Sequence, residues 1–191
     1  MNEFAEYLEL GRKAGQKFDY ENAIAYLTKA IQINQNAAEA YFIRGQVHAG
    51  HENHENAIDD LSTVISLEPN NAKAYFFRNE SYYKIGEKTK AKDDFLQALE
   101  IDQKYSQYYN VRGGAALKNG FFLKALEEFS RSIELIGTNI DSLIGRAIVF
   151  GHLGEHEKAL LDLKEAEKID GNNPLIKQIQ QTALEAINSK N

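Results

Sequence analysis

The residues in this sequence best suited to chemistry are histidines. His48, His51 and His54 lie three apart beside Glu52 and Glu55, types that could ligate a transition metal if they converged. If the helix carrying His48 ends near Ala49, His48 falls on a packing face and His54 in the turn. The expectation is a packed His48 with two solvated neighbours, and no metal. His152 and His156 are four residues apart but straddle a turn, so the pairing of two residues on one helix face does not apply. Asp59–Asp60 and Asp93–Asp94 are neighbours on a helix and point in different directions. Gly113–Gly114 follows no strand, so it is no phosphate loop. The chain has no cysteine, which removes thiol nucleophiles, disulfides and zinc–thiolate sites. No Ser–His–Asp set can be assembled from the remainder. The expectation is a protein that is not an enzyme and carries no cofactor.

A second charged series is regular. Arg44, Arg78, Arg112 and Arg146 are each followed sixteen residues later by Asp60, Asp94, Glu128 and Asp162. Where the series would begin, Leu10 and Tyr26 replace both members together. Joint presence and joint absence point to an Arg–carboxylate pair between two helices, because a partly buried guanidinium needs a carboxylate. The alternative is a row of arginines facing an anionic ligand.

The elements that must position these side chains recur every 34 residues. Ala23, Ala57, Ala91, Ala125 and Ala159 keep that spacing, as do Tyr7, Tyr41, Tyr75, Tyr109 and Leu143. So do Leu27, Leu61, Phe95, Phe129 and Leu163, and Ile33, Leu67, Ile101, Leu135 and Ile169. The repeats run 4–37, 38–71, 72–105, 106–139 and 140–173. Within each, apolar residues recur at steps of three and four, the helical period. Breakers such as YKIGEKT (83–89) divide each repeat into two antiparallel helices, with Gly86, Gly120 and Gly154 in one turn column that tolerates positive φ. Gly11, Gly45, Gly113 and Ala147 form a small-residue column that lets two helix backbones approach closely. Residues 174–191 form a final amphipathic helix opened by Pro174, a polar-faced cap of the kind repeat arrays need. Nothing comparable precedes repeat one, which would leave Phe4, Tyr7 and Tyr26 near an uncovered end.

These columns resemble the tetratricopeptide repeat over residues 4–173. Asn79 departs from it in the small column, and only Pro69 fills the proline column between repeats. The resemblance implies an all-α, right-handed α–α superhelix of five helix–turn–helix repeats plus the cap, a single domain over 1–191. It also implies that first helices line a concave groove. By that analogy the groove columns hold Leu8, Phe42, Phe76, Asn110 and Ile144, with Arg12, Gln46, Glu80 and Lys73 around them. Members that clamp the C-terminal carboxylate of heat-shock chaperones use Lys and Asn, then Asn, then Lys and Arg. The matching positions here hold Leu8 and Arg12, then Ile43, then Lys73 and Phe77, and the two later registers match no better. The clamp is absent.

Composition bounds the partner. The 191 residues carry a net charge of −6, which disfavours nucleic acid because phosphate binding needs clustered Lys and Arg. No apolar run is long enough to insert in a membrane, and MNEFAEYLELGRK does not read as a secretory signal. A cytoplasmic location is expected. Repeat two holds one Arg against six acids, a patch able to steer a basic partner. The function expected is a non-catalytic scaffold that binds a protein or peptide partner in the groove, anchored near Phe42 and Phe76. The alternative is a self-associating assembly protein, a homo-oligomer joined through the uncovered N-terminal repeat or the capping helix.

Overall fold

The computed structural model describes residues 2–137 and 139–189, and every regular element among them is helical. Repeat one forms α1 (Glu3–Gln16) and α2 (Tyr20–Ile33), and repeat two forms α3 (Ala38–Gly50) and α4 (His54–Leu67). Repeat three forms α5 (Ala72–Lys84) and α6 (Lys88–Ile101). A 3₁₀ turn over Gln103–Gln107 precedes α7 (Tyr108–Lys118) and α8 (Phe122–Ile136) of repeat four. Repeat five forms α9 (Ile140–His152) and α10 (His156–Ile169), and α11 (Pro174–Asn188) is the expected cap, whose last two residues, 190 and 191, lie outside the described ones. The fold is an all-α helical repeat. The chain divides into two compact units, Met1–Gln103 and Lys104–Asn191, at the joint between repeats three and four.

The helix starts follow from local chemistry. Asn2, Asn71, Asn139 and Asn173 cap α1, α5, α9 and α11, each side-chain oxygen accepting from a backbone N–H one turn in. At the corresponding place before α7 stands Tyr105, which has no such oxygen; it is buried, and the chain there takes the 3₁₀ turn instead.

The two helices of each repeat pack on one another, and within each unit the second helix packs on the next first helix. The small-residue column makes this possible. A Cβ on Gly11 would lie 2.5 Å from Leu27 Cγ, one on Gly45 3.0 Å from Leu61 Cγ, and one on Gly113 2.8 Å from the Phe129 ring. The first-helix glycines therefore face the large column of the second helices, whose Leu27, Leu61, Phe95, Phe129 and Leu163 are all buried beside the five alanines. Asn79, the exception in the small column, is fully buried and donates its amide to the Phe76 carbonyl at 3.1 Å. Phe129 is larger than the leucines it replaces, and its ring reaches a second glycine, Gly145, where a Cβ would collide with the ring tip. Other repeats hold Ile43, Phe77 and Val111 at that place.

One apolar column is not core. Ile33, Leu67, Ile101 and Ile169 are exposed, and only Leu135 is buried. Ile33 lies two residues beyond buried Ile31, about 200° around the helix, so it has left the packed stripe. The turn column, in contrast, has a wider geometric role than its glycines imply. Gly86, Gly120 and Gly154 have φ between 74° and 85°, and Phe18 and Glu52 of repeats one and two adopt φ 61° and 60° at the same column.

Candidate functional site: a first-helix groove

The arginine series is structural. Arg44 donates through Nε and Nη2 to the two oxygens of Asp60 at 2.8 and 2.7 Å. Arg78 makes the same fork to Asp94, and Arg146 to Asp162, with all four bonds at 2.7 Å. Arg112 pairs with Glu128 at 2.6 Å. The four carboxylates are buried. The hydrogen bonds to Asp60 raise the Arg44 pKa against the opposing effect of burial. Burial acts most strongly on Arg78, yet the Asp94 hydrogen bond and charge outweigh it and raise that pKa too. These arginines are committed to the carboxylates of their own repeats and are not a row aimed at an anion.

Each fork has a third partner, a hydroxyl on the preceding helix. The Nη1 of Arg44 donates to Thr28 at 2.9 Å, that of Arg78 to Ser62 at 2.9 Å, and that of Arg146 to Ser130 at 3.2 Å. Each hydroxyl sits sixteen residues before its arginine, on the preceding repeat's second helix. Leu96 occupies the hydroxyl column ahead of Arg112, whose Nη1 donates instead to Tyr108 on its own helix at 3.2 Å.

The histidines part company. His48 is buried with its Nε2 4.0 Å from Asp60, and its Nδ1 is buried without a hydrogen-bond partner. Burial holds its pKa below the ordinary value, Asp60 opposes that effect, and Arg44 and His51 add to it. His51 lies against the Tyr20 ring, with centroids 5.2 Å apart, and His54 opens α4. Among the described residues no group of three or more His, Cys, Asp or Glu is placed to hold a metal ion. No helix among them is long and apolar enough to cross a membrane.

Four of the expected groove residues do come together. Arg12, Phe42, Gln46 and Lys73 line one hollow of about 320 Å³ in the first unit, with Glu39 and Glu68 on its border. Arg12 reaches across from α1 to α3 and pairs with Glu39 at 2.6 Å. Both partners are half exposed, so the bridge adds little stability and can open to a ligand. A second hollow of about 360 Å³ shares Arg12, Ile43 and Gln46 and continues between α1 and α3 to Phe18 and Tyr20. Its far border is unusual, because Phe18 is 74% exposed and also holds the positive φ. The first hollow mixes both charges with Phe42 and Ile43, and the second is lined mainly by Phe18, Tyr20, Ile43 and Val47, surfaces of a kind that seat side chains.

The other expected groove residues are placed differently. Phe76 is only 2% exposed, with its ring edge-on to Phe77, and Phe77 is edge-on to Phe42. It supports Phe42 through that stack and offers almost no surface of its own. Ile144 is buried in the core with Leu143 and Leu163. Leu8 is half-buried against Ala30 and Ala40. Asn110 accepts a hydrogen bond from Ser142 at 3.4 Å, and Glu80 is half-buried on α5. At the N-terminal end, Tyr7 stacks on Tyr26 with centroids 6.4 Å apart, and Lys29 lies 5.1 Å over the Tyr7 ring.

The chain matches profiles described as Tetratricopeptide repeat over residues 8–72 and 72–105. No curated protein matches it. Among solved structures it is similar to the MamA protein, at 22% identity over 87% of this chain and 91% of that one, with TM-score 0.59. It is also similar to YrrB, described as a TPR protein with an unusual peptide-binding site, at 20% identity over 92% and 90% with TM-score 0.55. The second TPR of Spaghetti (RPAP3), bound to the HSP90 peptide SRMEEVD, matches at 23% identity over 53% of this chain and 94% of that one, with TM-score 0.51. With helix pairs recurring every 34 residues, small columns set against large ones and these matches, the chain belongs to the tetratricopeptide repeat family.

Proposed function

We propose that the protein is a non-catalytic interaction scaffold whose first unit binds a peptide segment of a partner protein along the α1–α3 groove. The observation that carries this reading is the pair of adjoining hollows that share Arg12, Ile43 and Gln46. Two adjoining hollows suit successive side chains of one segment better than a single small ligand. The half-exposed Arg12–Glu39 bridge supplies both a donor and an acceptor where that segment's backbone or charged groups would pass. The peptide-bound RPAP3 structure and the YrrB description support the reading, since both concern peptide binding by the same fold. Specificity in this groove differs from a carboxylate clamp, because Glu39 and Glu68 line it together with Arg12 and Lys73, and Phe42 supplies an apolar surface.

A photoreactive benzoylphenylalanine at Gln46 should capture the partner, whereas the same group at exposed Gln32 on α2 should not. Gln46→Trp, which fills the shared part of the two hollows, should abolish co-purification of the captured protein while leaving the circular dichroism spectrum unchanged. Equal capture from both positions, or undiminished recovery by the filled variant, would remove the groove from consideration.

A further inference from the structure

The second unit carries a hollow of about 360 Å³ between α9, α10 and α11. Its lining is the repeat equivalent of the α1–α3 hollow, four repeats further along the chain. Arg12, Gly15, Gln16 and Tyr20 correspond to Ile148, Gly151, His152 and His156. On the facing helix, Ile43, Gln46 and Val47 correspond to Ile179, Thr182 and Ala183. Both hollows depend on a glycine in one column, which elsewhere holds Ala49, Tyr83 and Leu117. At Gly151 an added Cβ would meet nothing within 4 Å, so the glycine leaves a space that the helix packing does not require. The chemistry of the border has changed between the two. Ile148 stands where the first hollow has Arg12, and no carboxylate lines the second, whereas the groove in the first unit has Glu39 and Glu68. The border includes the His152 and His156 imidazoles and the Gln178 amide, all able to donate hydrogen bonds, whereas the Thr182 hydroxyl already donates to the Gln178 carbonyl at 3.0 Å. His152 is steadied by stacking on Phe122, with centroids 4.6 Å apart.

We propose that this hollow is a second recognition pocket, taking a branched aliphatic or aromatic side chain of a partner protein next to an acidic residue of the same partner. The proposal rests on the peptide-binding reading of the first unit only through the correspondence of columns, and it assigns a separate pocket with different selectivity. Apolar walls of Ile148, Ala159 and Ile179 receive the side chain. Donors without competing carboxylates receive the acid. The volume lies at the small end of ligand clefts, which span roughly 300–1,000 Å³, a size suited to one side chain.

The pocket can be filled without touching the core. Gly151→Leu places in repeat five what repeat four already carries at Leu117, and Thr182→Trp covers the mouth from an exposed position on α11. A displayed library of random decapeptides is selected on the full chain, and affinities are then compared for wild type, Gly151→Leu, Thr182→Trp and Gln46→Trp. The expected result is a set of peptides with an apolar residue beside Asp or Glu that binds Gly151→Leu and Thr182→Trp roughly tenfold or more weakly. The same set keeps wild-type affinity for Gln46→Trp, and adding it shifts the methyl resonances of Ile148 and Ile179.

If every selected peptide binds the two pocket variants as wild type does, while Gln46→Trp loses them, the first-unit reading stands and this pocket is refuted. Failure of wild type to select any peptide overturns both readings. A pocket-dependent set without acidic residues overturns the chemistry assigned to the border. Methyl shifts produced by decanoate or by raising the protein concentration, and by no peptide, overturn the occupant in favour of a free amphiphile or a second copy.

Discussion

Glu52→Gly should stabilise the protein, and Gly154→Ala, at the same column three repeats later, should destabilise it. Both residues sit in the turn between the helices of a repeat at positive φ, 60° for Glu52 and 74° for Gly154. A side chain there places Cβ close to the neighbouring carbonyl and costs about 1–2 kcal/mol. Glycine escapes that cost but loses about 0.5–1 kcal/mol through its greater freedom in the unfolded chain. The difference leaves a net gain of about 0.5–1 kcal/mol for Glu52→Gly and a loss of similar size for Gly154→Ala. Tertiary contact does not obscure the comparison, because a Cβ on Gly154 would meet nothing within 4 Å. Phe18→Gly provides an internal control. It relieves the same strain but removes the edge-on contact with Tyr20, centroids 6.2 Å apart, itself worth about 0.5–1.5 kcal/mol, so its net change should be near zero. Urea unfolding followed by circular dichroism reads the midpoints. The ordering Glu52→Gly above wild type above Gly154→Ala is required. A lowered midpoint for Glu52→Gly, with Gly154→Ala unchanged, would show that the turn column is not governed by backbone strain.

Removing one partner of a buried fork should be severe. Arg78→Ala strands the Asp94 carboxylate, buried at 5% exposure, and should cost about 3–5 kcal/mol in the same urea experiment; a loss below 1 kcal/mol would show the pair to be dispensable. Ser62→Ala removes only the third hydrogen bond of that fork and should cost about 1 kcal/mol. Gly145→Ala should cost about 1–3 kcal/mol by driving a Cβ into the Phe129 ring tip. Phe129→Leu in the same chain should return part of that loss, so strict additivity of the two changes would refute the contact. His48 gives a pH dependence. Its pKa is lowered in the fold, chiefly by burial, so between that value and about 6.5 the unfolded chain binds the extra proton. Stability is therefore complete above the unfolded value and declines as pH falls through it. His48→Gln should flatten the loss between pH 7.5 and 5.5 in thermal melts, and a wild-type slope retained by the variant would assign the effect to other groups.

The repeat length, the helix pairs and the Arg–carboxylate forks were legible in the sequence because each is a relation between residue types at fixed spacing. Arg44 and Asp60 report on each other through their joint absence in repeat one, and the forks at 2.7–2.8 Å show what that covariation was for. The hydroxyl column of Thr28, Ser62 and Ser130 carries a weaker signal of that kind, because Leu96 breaks it ahead of Arg112. Positive φ at Phe18 and Glu52 had no such signal. A glycine column announces a left-handed turn only where glycine is present, and two repeats impose the turn on residues that resist it. Of the residues the columns put in the groove, Arg12, Phe42, Gln46 and Lys73 line one hollow, whereas Phe76 and Ile144 are buried. A column position fixes which way a side chain leaves its own helix, not how far the neighbouring helix covers it. Phe76 meets Phe77, a ring that repeat two replaces with Ile43, and the extra bulk helps to close the surface over it.

Columns that are constant across the repeats and columns that vary therefore answer different physical demands. The alanines, the small column and the forks set the distance between helices, and a change in any one of them alters packing in the core. The column of Gly15, Ala49, Tyr83, Leu117 and Gly151 is more permissive. It holds nothing, a methyl group, an aromatic ring or a branched chain, and its packing differs between repeats: a Cβ on Gly151 would meet nothing within 4 Å, one on Gly15 would lie 3.1 Å from Val47, and Leu117 packs against Ala116, Ala125, Phe129 and Val149. Variation there changes the space beside the helix pair, which is the condition for a recognition site to diverge. The two glycines of the column open hollows in the first and last repeats, and the residues beside them have become Arg12 and Gln46 in one and Ile148 and Thr182 in the other. A repeat whose core is held fixed by its alanine and small-residue columns can thus present one hollow edged with charge and another edged with imidazole and amide donors. Selectivity in this chain is expected to follow the glycine column and its neighbours more closely than the aromatic column that the helical period brings first to notice.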